Sequence, residues 1–314
     1  MSRNYDFIMN GHPNIYNNYS PRNLKIYFSE PDVINDDTGI LLLIPGFGGN
    51  ANSNVYKKMR STFADKFNLI TVQCDYFGWE FMQAERLQES VSNFNDMGIM
   101  QALDNITAVT VLAEIIKDNG LTFNAGKIIA YGQSHGAYIA YLCNIFAPSL
   151  FSLIIDNSAW IFPLYLLGDR QITINGSLTD FSYLAKQLII DAQILHLPSV
   201  SKKVNNQCTI HSFHGADDKI ITIEDKRDFC LSLNNCVLHE ITRENMDQRI
   251  FKSSSHSLDA DLLLLFEYVL NDLNVEFTFN DRISINNNKI ETNNYAYEFD
   301  YTFQVPLLNI QSRV

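Results

Sequence analysis

The sequence predicts an α/β fold, with a mostly parallel central sheet covered by helices on both faces. Two observations predict it. Short, continuous apolar runs recur along most of the chain, as in strands buried on both faces. Helix-length segments separate them, and this alternation is the pattern of a parallel sheet. With 314 residues, 46% hydrophobic and 18% charged, the chain suits one large α/β domain or two small ones and can bury a sizeable core.

Taken in order, residues 1–38 are rich in Asn, Tyr and Pro and contain one alternating strand, "NLKIYFS" at 23–29. "GILLLIPG" (39–46) is the first buried strand, closed by Pro-Gly, and a helix is expected at about 50–66. "FNLITVQCD" (67–75) is the second strand. "DMGIMQALDNITAVTVLAEIIKDNG" (96–120) reads as a long helix ended by Gly120, with Asp104, Glu114 and Lys117 on solvated faces. "KIIAYG" (127–132) is the third strand, "SHGAYIAYLCNIFA" its following helix, and "FSLIIDNSA" (151–159) the fourth strand. The rhythm breaks at 160–206, an insertion with a helical "TDFSYLAKQLIIDAQIL". It resumes with strand 208–215, a helix near 223–234, strand 236–241 and a helix at 257–273. The alternating, Asn-rich tail 274–314 is expected to add strands or a hairpin at the sheet edge. This divides the chain into an N-terminal strand-bearing extension (1–38), a core (39–273) and a β-rich C-terminal extension (274–314).

A net charge of −12 argues against nucleic-acid binding, which calls for a basic face. Five scattered cysteines without a CxxC pair, and an N-terminal stretch without a basic-then-apolar pattern, lead us to expect a reducing, cytoplasmic setting. No apolar run reads as a membrane span. There is no HExxH and no close His/Cys cluster, so neither metal nor cofactor is expected.

The chemistry concentrates in "AYGQSHGAYIAY" (130–141). Ser134 sits in Gly-x-Ser-x-Gly where a strand ends and a helix begins, the context of a nucleophile elbow. A serine hydroxyl needs a base to take its proton. Of seven histidines, His256 lies in "KSSSHSLDAD", after the last strand and before the last helix, where the topology places the base. His211 and His239 lie in strands, and a lone strand histidine is more often structural. "HGADDKIIT" (214–222) offers Asp217 and Asp218 as the orienting carboxylate, and an Asp-rich turn is its simpler reading. Two backbone donors are expected to form an oxyanion hole, the N–H of His135 and that of Phe47 in "PGFGGN". Gly46 and Gly48 would let a substrate approach that loop. Trp160 and Asn157, near the end of the fourth strand, are further candidates for substrate contact, although a loop cap explains Asn157 equally well and core packing is the preferred reading of the Trp160 cluster.

On "IPGFGGN", "GQSHG", "HGADDKII" and "SSSHSL" the chain resembles the α/β-hydrolase superfamily over roughly 39–273. The resemblance implies a serine hydrolase that cleaves an acyl ester of a small molecule, with Asp218 rather than Asp217 as the catalytic acid. It also implies a cap at about 157–206 that brings Trp160, Phe162 and Tyr165 near the pocket. The chain departs from the usual pattern in three places: Pro-Gly stands where His-Gly is common, Ser257 follows the histidine, and Thr222 replaces a proline. "YFGWEFMQ" (76–83), with "PGFGG", is similar to an uncharacterised bacterial hydrolase-like family, some of whose members lie among surface-glycan or flagellin-modification genes. That likeness implies an acylated sugar as substrate.

Two other readings compete. Gly46 to Ala51 fits G-x-G-x-x-[GA] after a strand, and Asp75 ends the next strand, so residues 39–75 alone would suit an NAD(P)-dependent oxidoreductase. That reading leaves the Ser134, Asp218 and His256 coincidence unexplained. A catalytically inactive hydrolase fold used for binding is the other, since fold does not imply function.

Overall fold

The computed structural model describes residues 1–83, 88–174 and 176–313. Strand β1 (Arg3–Asn10) was not expected from the sequence. It is mostly exposed, with Phe7 and Met9 packed partly against the core, and it is held by its full antiparallel register with β2 (Asn23–Glu30). The first apolar run forms β3 (Gly39–Ile44). Helix α1 (Asn54–Phe67) follows, capped by Ser53 Oγ, which accepts from Tyr56 N at 3.4 Å, and stopped at Asn68 in the left-handed region. Next come β4 (Leu69–Asp75) and α2 (Ile99–Asp118). The latter starts three residues later than expected. Asp96, read in the sequence as its first residue, instead accepts from Gly98 N and Met100 N with its carboxylate.

By length and composition α2 is apolar enough to cross a membrane, but 83% of that window is buried inside the protein. Glu114 and Lys117 are exposed as expected, whereas Asp104 is not solvated. It is fully buried, pairs with Arg22 and accepts from Phe77 N at 2.8 Å. A loop residue thus supplies the charge that this helix position needs in the core.

After α2 come β5 (Ile128–Gln133), α3 (His135–Phe146) and β6 (Leu153–Asn157). The insertion departs from its helical expectation. After a short helical turn at Leu164–Leu166 it forms an antiparallel hairpin, β7 (Arg170–Ile174) and β8 (Ser177–Phe181), and continues with only single-turn helices, among them α4 (Ala185–Leu188) and α5 (Leu197–Val200). Gly176, with φ +80°, supplies turn chemistry that outweighs the helical look of the residues after it. The core closes with β9 (Thr209–Gly215), α6 (Ile223–Leu231), β10 (Cys236–Ile241) and α7 (Leu262–Asp272). The last helix begins at 262, not 257, because Asp261 caps it and Ser257, Leu258 and Asp259 have positive φ.

The tail forms β11 (Asn288–Glu291), β12 (Tyr295–Asp300) and β13 (Leu307–Ser312). These strands make their own antiparallel sheet, not an extension of the main sheet's edge. It lies on the helical layer, with Phe299 stacked on Phe146 at 4.5 Å and Asn288 Nδ2 donating to the carbonyls of Ile145 and Phe146. His12 joins it to the N-terminus by accepting from Leu308 N at 2.9 Å.

The main sheet runs β1-β2-β4-β3-β5-β6-β9-β10, antiparallel at β1/β2 and β2/β4 and parallel elsewhere. Each central strand divides its side chains between two cores. Ile40, Leu42 and Ile44 of β3 join α2 and α3 on one face, and Leu41 and Leu43 join Phe63 and Phe266 on the other. Beneath the carboxyl end of β6, Lys226 is fully buried and donates to Asp156 Oδ2 at 2.6 Å. Tyr141 and Ser212 donate to the same oxygen, and Asp156 Oδ1 accepts from Ala159 N.

Removing one partner of such a pair strands a buried charge. Lys226→Ala is expected to lower the free energy of unfolding in urea by about 3–5 kcal/mol. Lys117→Ala, which breaks the exposed pair with Glu114, is expected to cost at most about 0.5 kcal/mol. Equal losses in the two variants would show that the buried pair contributes nothing special.

Candidate active site

Ser134 occupies the one-residue corner between β5 and α3, with φ 53° and ψ −119°. A non-glycine residue there is strained, and only tight surroundings hold it. Those surroundings explain the flanking glycines. A Cβ on Gly132 would lie 2.4 Å from Ala137 N, and one on Gly136 would lie 2.3 Å from Ile44 O and 2.5 Å from Pro45 O. The corner is also bonded to β6, since Ser134 N donates to Asn157 O at 2.8 Å.

Residues distant in sequence converge on this corner. Ser134 Oγ lies 2.8 Å from His256 Nε2, and His256 Nδ1 lies 2.7 Å from Asp218 Oδ2. The carboxylate fixes the tautomer: the proton sits on Nδ1, so Nε2 presents its lone pair to the serine hydroxyl. Asp218 Oδ1 accepts from Ile220 N at 2.8 Å and Ile221 N at 3.3 Å. Burial alone would raise the Asp218 carboxyl, but the bond from His256 and the backbone donors hold it below the usual carboxylate range. Asp217 is turned away, bonded to Ser254 Oγ and Arg243 Nε at the surface. Of the strand histidines, His211 and His239 bond to each other at 3.0 Å on the far edge of the sheet.

The glycine turn after β3 lies against the corner, closed by Gly49 N donating to Gly46 O at 2.9 Å. Gly46 packs close to Gln133 O, and Gly48 has φ +89° with open space where a Cβ would be. Neither Phe47 N nor His135 N donates to an acceptor among the described residues. This packing does not suit a dinucleotide loop. The turn is held against the elbow, helix α1 starts only at Asn54, and Asp75 is engaged by Tyr27 Oη at 2.7 Å.

The remaining candidates separate. Asn157 is fully buried rather than facing a ligand. Its carbonyl takes Ser134 N, its Nδ2 donates to Ser257 O at 3.2 Å, and its Oδ1 accepts from Ser158 Oγ. Ser158 Oγ in turn accepts from Ser257 N at 3.1 Å. These two side chains tie the loop carrying His256 to the strand beside the nucleophile, a role that spacing alone does not signal. Trp160 is 3% exposed and belongs to an aromatic cluster. Its ring stacks on Phe47 at 5.8 Å and meets His135 edge-on at 5.1 Å, with Tyr165 and Tyr183 of the insertion closing around Phe47. Phe162 lies instead beside His196, ring centres 5.9 Å apart. The His135 ring is buried, which lowers its pKa to about 3, so the imidazole is neutral. It meets Gln101 Oε1 at 2.8 Å, and Gln101 Nε2 continues to Asn95 Oδ1.

Residues 80–190 match the model of a protein family of unknown function, DUF2920. No curated protein matches the chain by sequence. Solved structures do match in shape. The ferulic-acid complex of Est1E from Butyrivibrio proteoclasticus is 16% identical, covering 80% of this chain and 96% of that one with a TM-score of 0.53. The peroxisomal α/β-hydrolase Lpx1 from Saccharomyces cerevisiae is 12% identical, covering 90% and 92% with a TM-score of 0.54. Esterase 2 from Thermogutta terrifontis, phosphoramylated by tabun, is 15% identical, covering 79% and 89% with a TM-score of 0.51. Together with the parallel sheet, the elbow after β5 and the antiparallel strand set at the C-terminus, these matches establish that the chain has the α/β-hydrolase fold.

Proposed function

We propose that the protein is a serine hydrolase of the esterase type that acts on acylated small molecules, acylated sugars among them. The observation that carries this reading is the hydrogen-bonded row Asp218–His256–Ser134 ending on a strained, helix-initiating serine. In this reading Ser134 Oγ attacks the ester carbonyl while His256 Nε2 takes its proton. Asp218 holds the imidazole in the required tautomer and stabilises its charged form. The oxyanion receives the N–H groups of Phe47 and His135, assisted by the positive end of α3. The tetrahedral intermediate collapses as His256 returns its proton to the leaving alcohol. Water, deprotonated by the same nitrogen, then releases the acyl group and restores the serine. Every proton passes through His256, and no electron transfer occurs. The names of the Butyrivibrio and Thermogutta proteins agree with this chemistry, and the five free cysteines fit the cytoplasmic setting we assign to it.

A fluorophosphonate probe is expected to label the purified protein covalently and to leave Ser134→Ala unlabelled at an unchanged melting temperature. A folded wild-type protein that resists the probe would point to a binding protein with a hydrolase fold. The two neighbouring acids separate kinetically. Asp218→Asn is expected to lower kcat by about 10³–10⁴-fold on any ester the enzyme turns over. Asp217→Asn, which is bonded to Arg243 and Ser254 and not to the histidine, is expected to change it by at most about threefold. The reverse order would reassign the acid.

A further inference from the structure

Arg170, the first residue of β7 in the insertion, carries its guanidinium over the ring of Phe47, with Cζ 4.8 Å from the ring centre. One of its nitrogens, Nη1, is held by neutral oxygens, Met82 O at 2.7 Å and Tyr183 Oη at 3.4 Å. Among the described residues no carboxylate pairs with it, and the adjacent Asp169 is taken by Lys186. The chain has 35 acidic residues against 23 basic ones, so a half-buried arginine without an acid is out of balance. Its stacked, bonded edge fixes the group, and the Nε and Nη2 donors remain for a ligand. A second donor in the same cluster is also unused: Trp160 Nε1 is buried without a partner, and its ring stacks on the same Phe47. An indole N–H and a guanidinium edge call for an acceptor that bears negative charge.

The place of this cluster in the reaction follows from the site. It is built on the side chains of Phe47 and His135, the residues whose N–H groups flank the carbonyl on the oxyanion side. The leaving alcohol must depart within reach of His256. We propose that the cluster is the acyl pocket and that Arg170 receives a carboxylate at the far end of the acyl chain. The preferred substrates are then half-esters of dicarboxylic acids rather than neutral esters. This rests on the serine-hydrolase reading above.

The test compares matched esters by proton release. Ethyl hexanoate is set against monoethyl adipate, and ethyl butyrate against monoethyl succinate, for the wild type, Arg170→Gln and Arg170→Lys. The ratio of kcat/KM for the charged to the neutral ester is expected to fall about tenfold or more in Arg170→Gln, and to recover in part in Arg170→Lys. Hexyl acetate against 6-acetoxyhexanoate places the charge on the alcohol instead, and that ratio is expected to move by less than about threefold. Unchanged ratios for the first two pairs, or an effect confined to the alcohol pair, would overturn the proposal. Fluorophosphonate labelling of each variant reports separately on the hydrolase reading. Calorimetric titration of adipate into Ser134→Ala, with and without Arg170→Gln, reads the anion site even if no ester is turned over. Binding that is equal in the two proteins would overturn it as well.

Discussion

The φ of +53° at Ser134 is the constraint on which the rest of the site depends. A serine in that conformation costs of order 1–3 kcal/mol and persists only where neighbours leave no alternative. Three adjacent strands supply the neighbours. The corner belongs to β5. On one side the carbonyls at the end of β3 press on Gly136, and on the other the carbonyl at the end of β6 takes the serine N–H. The parallel order β3-β5-β6 is therefore part of the active-site geometry, because it brings two strand ends to the same corner. The strain points the hydroxyl out of the sheet, and the first turn of α3 leaves the next N–H without an intrahelical acceptor.

The end of β6 shows how a polar stretch can be buried for positioning alone. Asp156, Asn157 and Ser158 are each fully buried, the first holding α6 and the other two the histidine loop. Asp156 anchors α6 through Lys226, Asn157 joins the elbow to the histidine loop, and Ser158 caps that loop at Ser257. The histidine loop itself runs through three consecutive residues of positive φ, so it has little regular structure to support it. Its position is set by these side chains and by the pull of Asp218. Desolvated hydrogen bonds of this kind are worth more together than singly, since each group left unpaired would carry its full burial penalty.

Much of this was legible in the sequence. The central strands announced themselves because a strand buried on both faces must be apolar throughout, and the elbow did so because its backbone tolerates only glycine on either side. His256 followed from chain order. Asp218 needed the likeness of "HGADDKII" to a known pattern, since turn chemistry alone left Asp217 equally eligible. The misreadings share a cause. Strand β1 and the hairpin of the insertion are stabilised by pairing and turn geometry rather than by an apolar period, so periodicity passed over them. Asp104, and Asn157 as a ligand contact, were misplaced because a polar residue in a sequence carries no mark of a buried partner far along the chain. Arg22 and Ser257 supply those partners here.

In the proposed mechanism two residues link binding to catalysis. Phe47 and His135 would each offer a backbone N–H to the oxyanion, and each gives a side chain to the aromatic cluster. An acyl group seated against those rings would press on the backbone that must hold its carbonyl in place. The neutrality of His135 matters in this setting. An imidazolium there would attract the substrate's ground-state oxygen and any bound carboxylate alike. A buried, uncharged ring leaves the charge stabilisation to fixed backbone dipoles, which act most strongly on the full charge of the tetrahedral intermediate. In the proposal made above, the cation at Arg170, seated over the Phe47 ring, would anchor the far end of the substrate and leave the stabilisation of the oxyanion to the backbone.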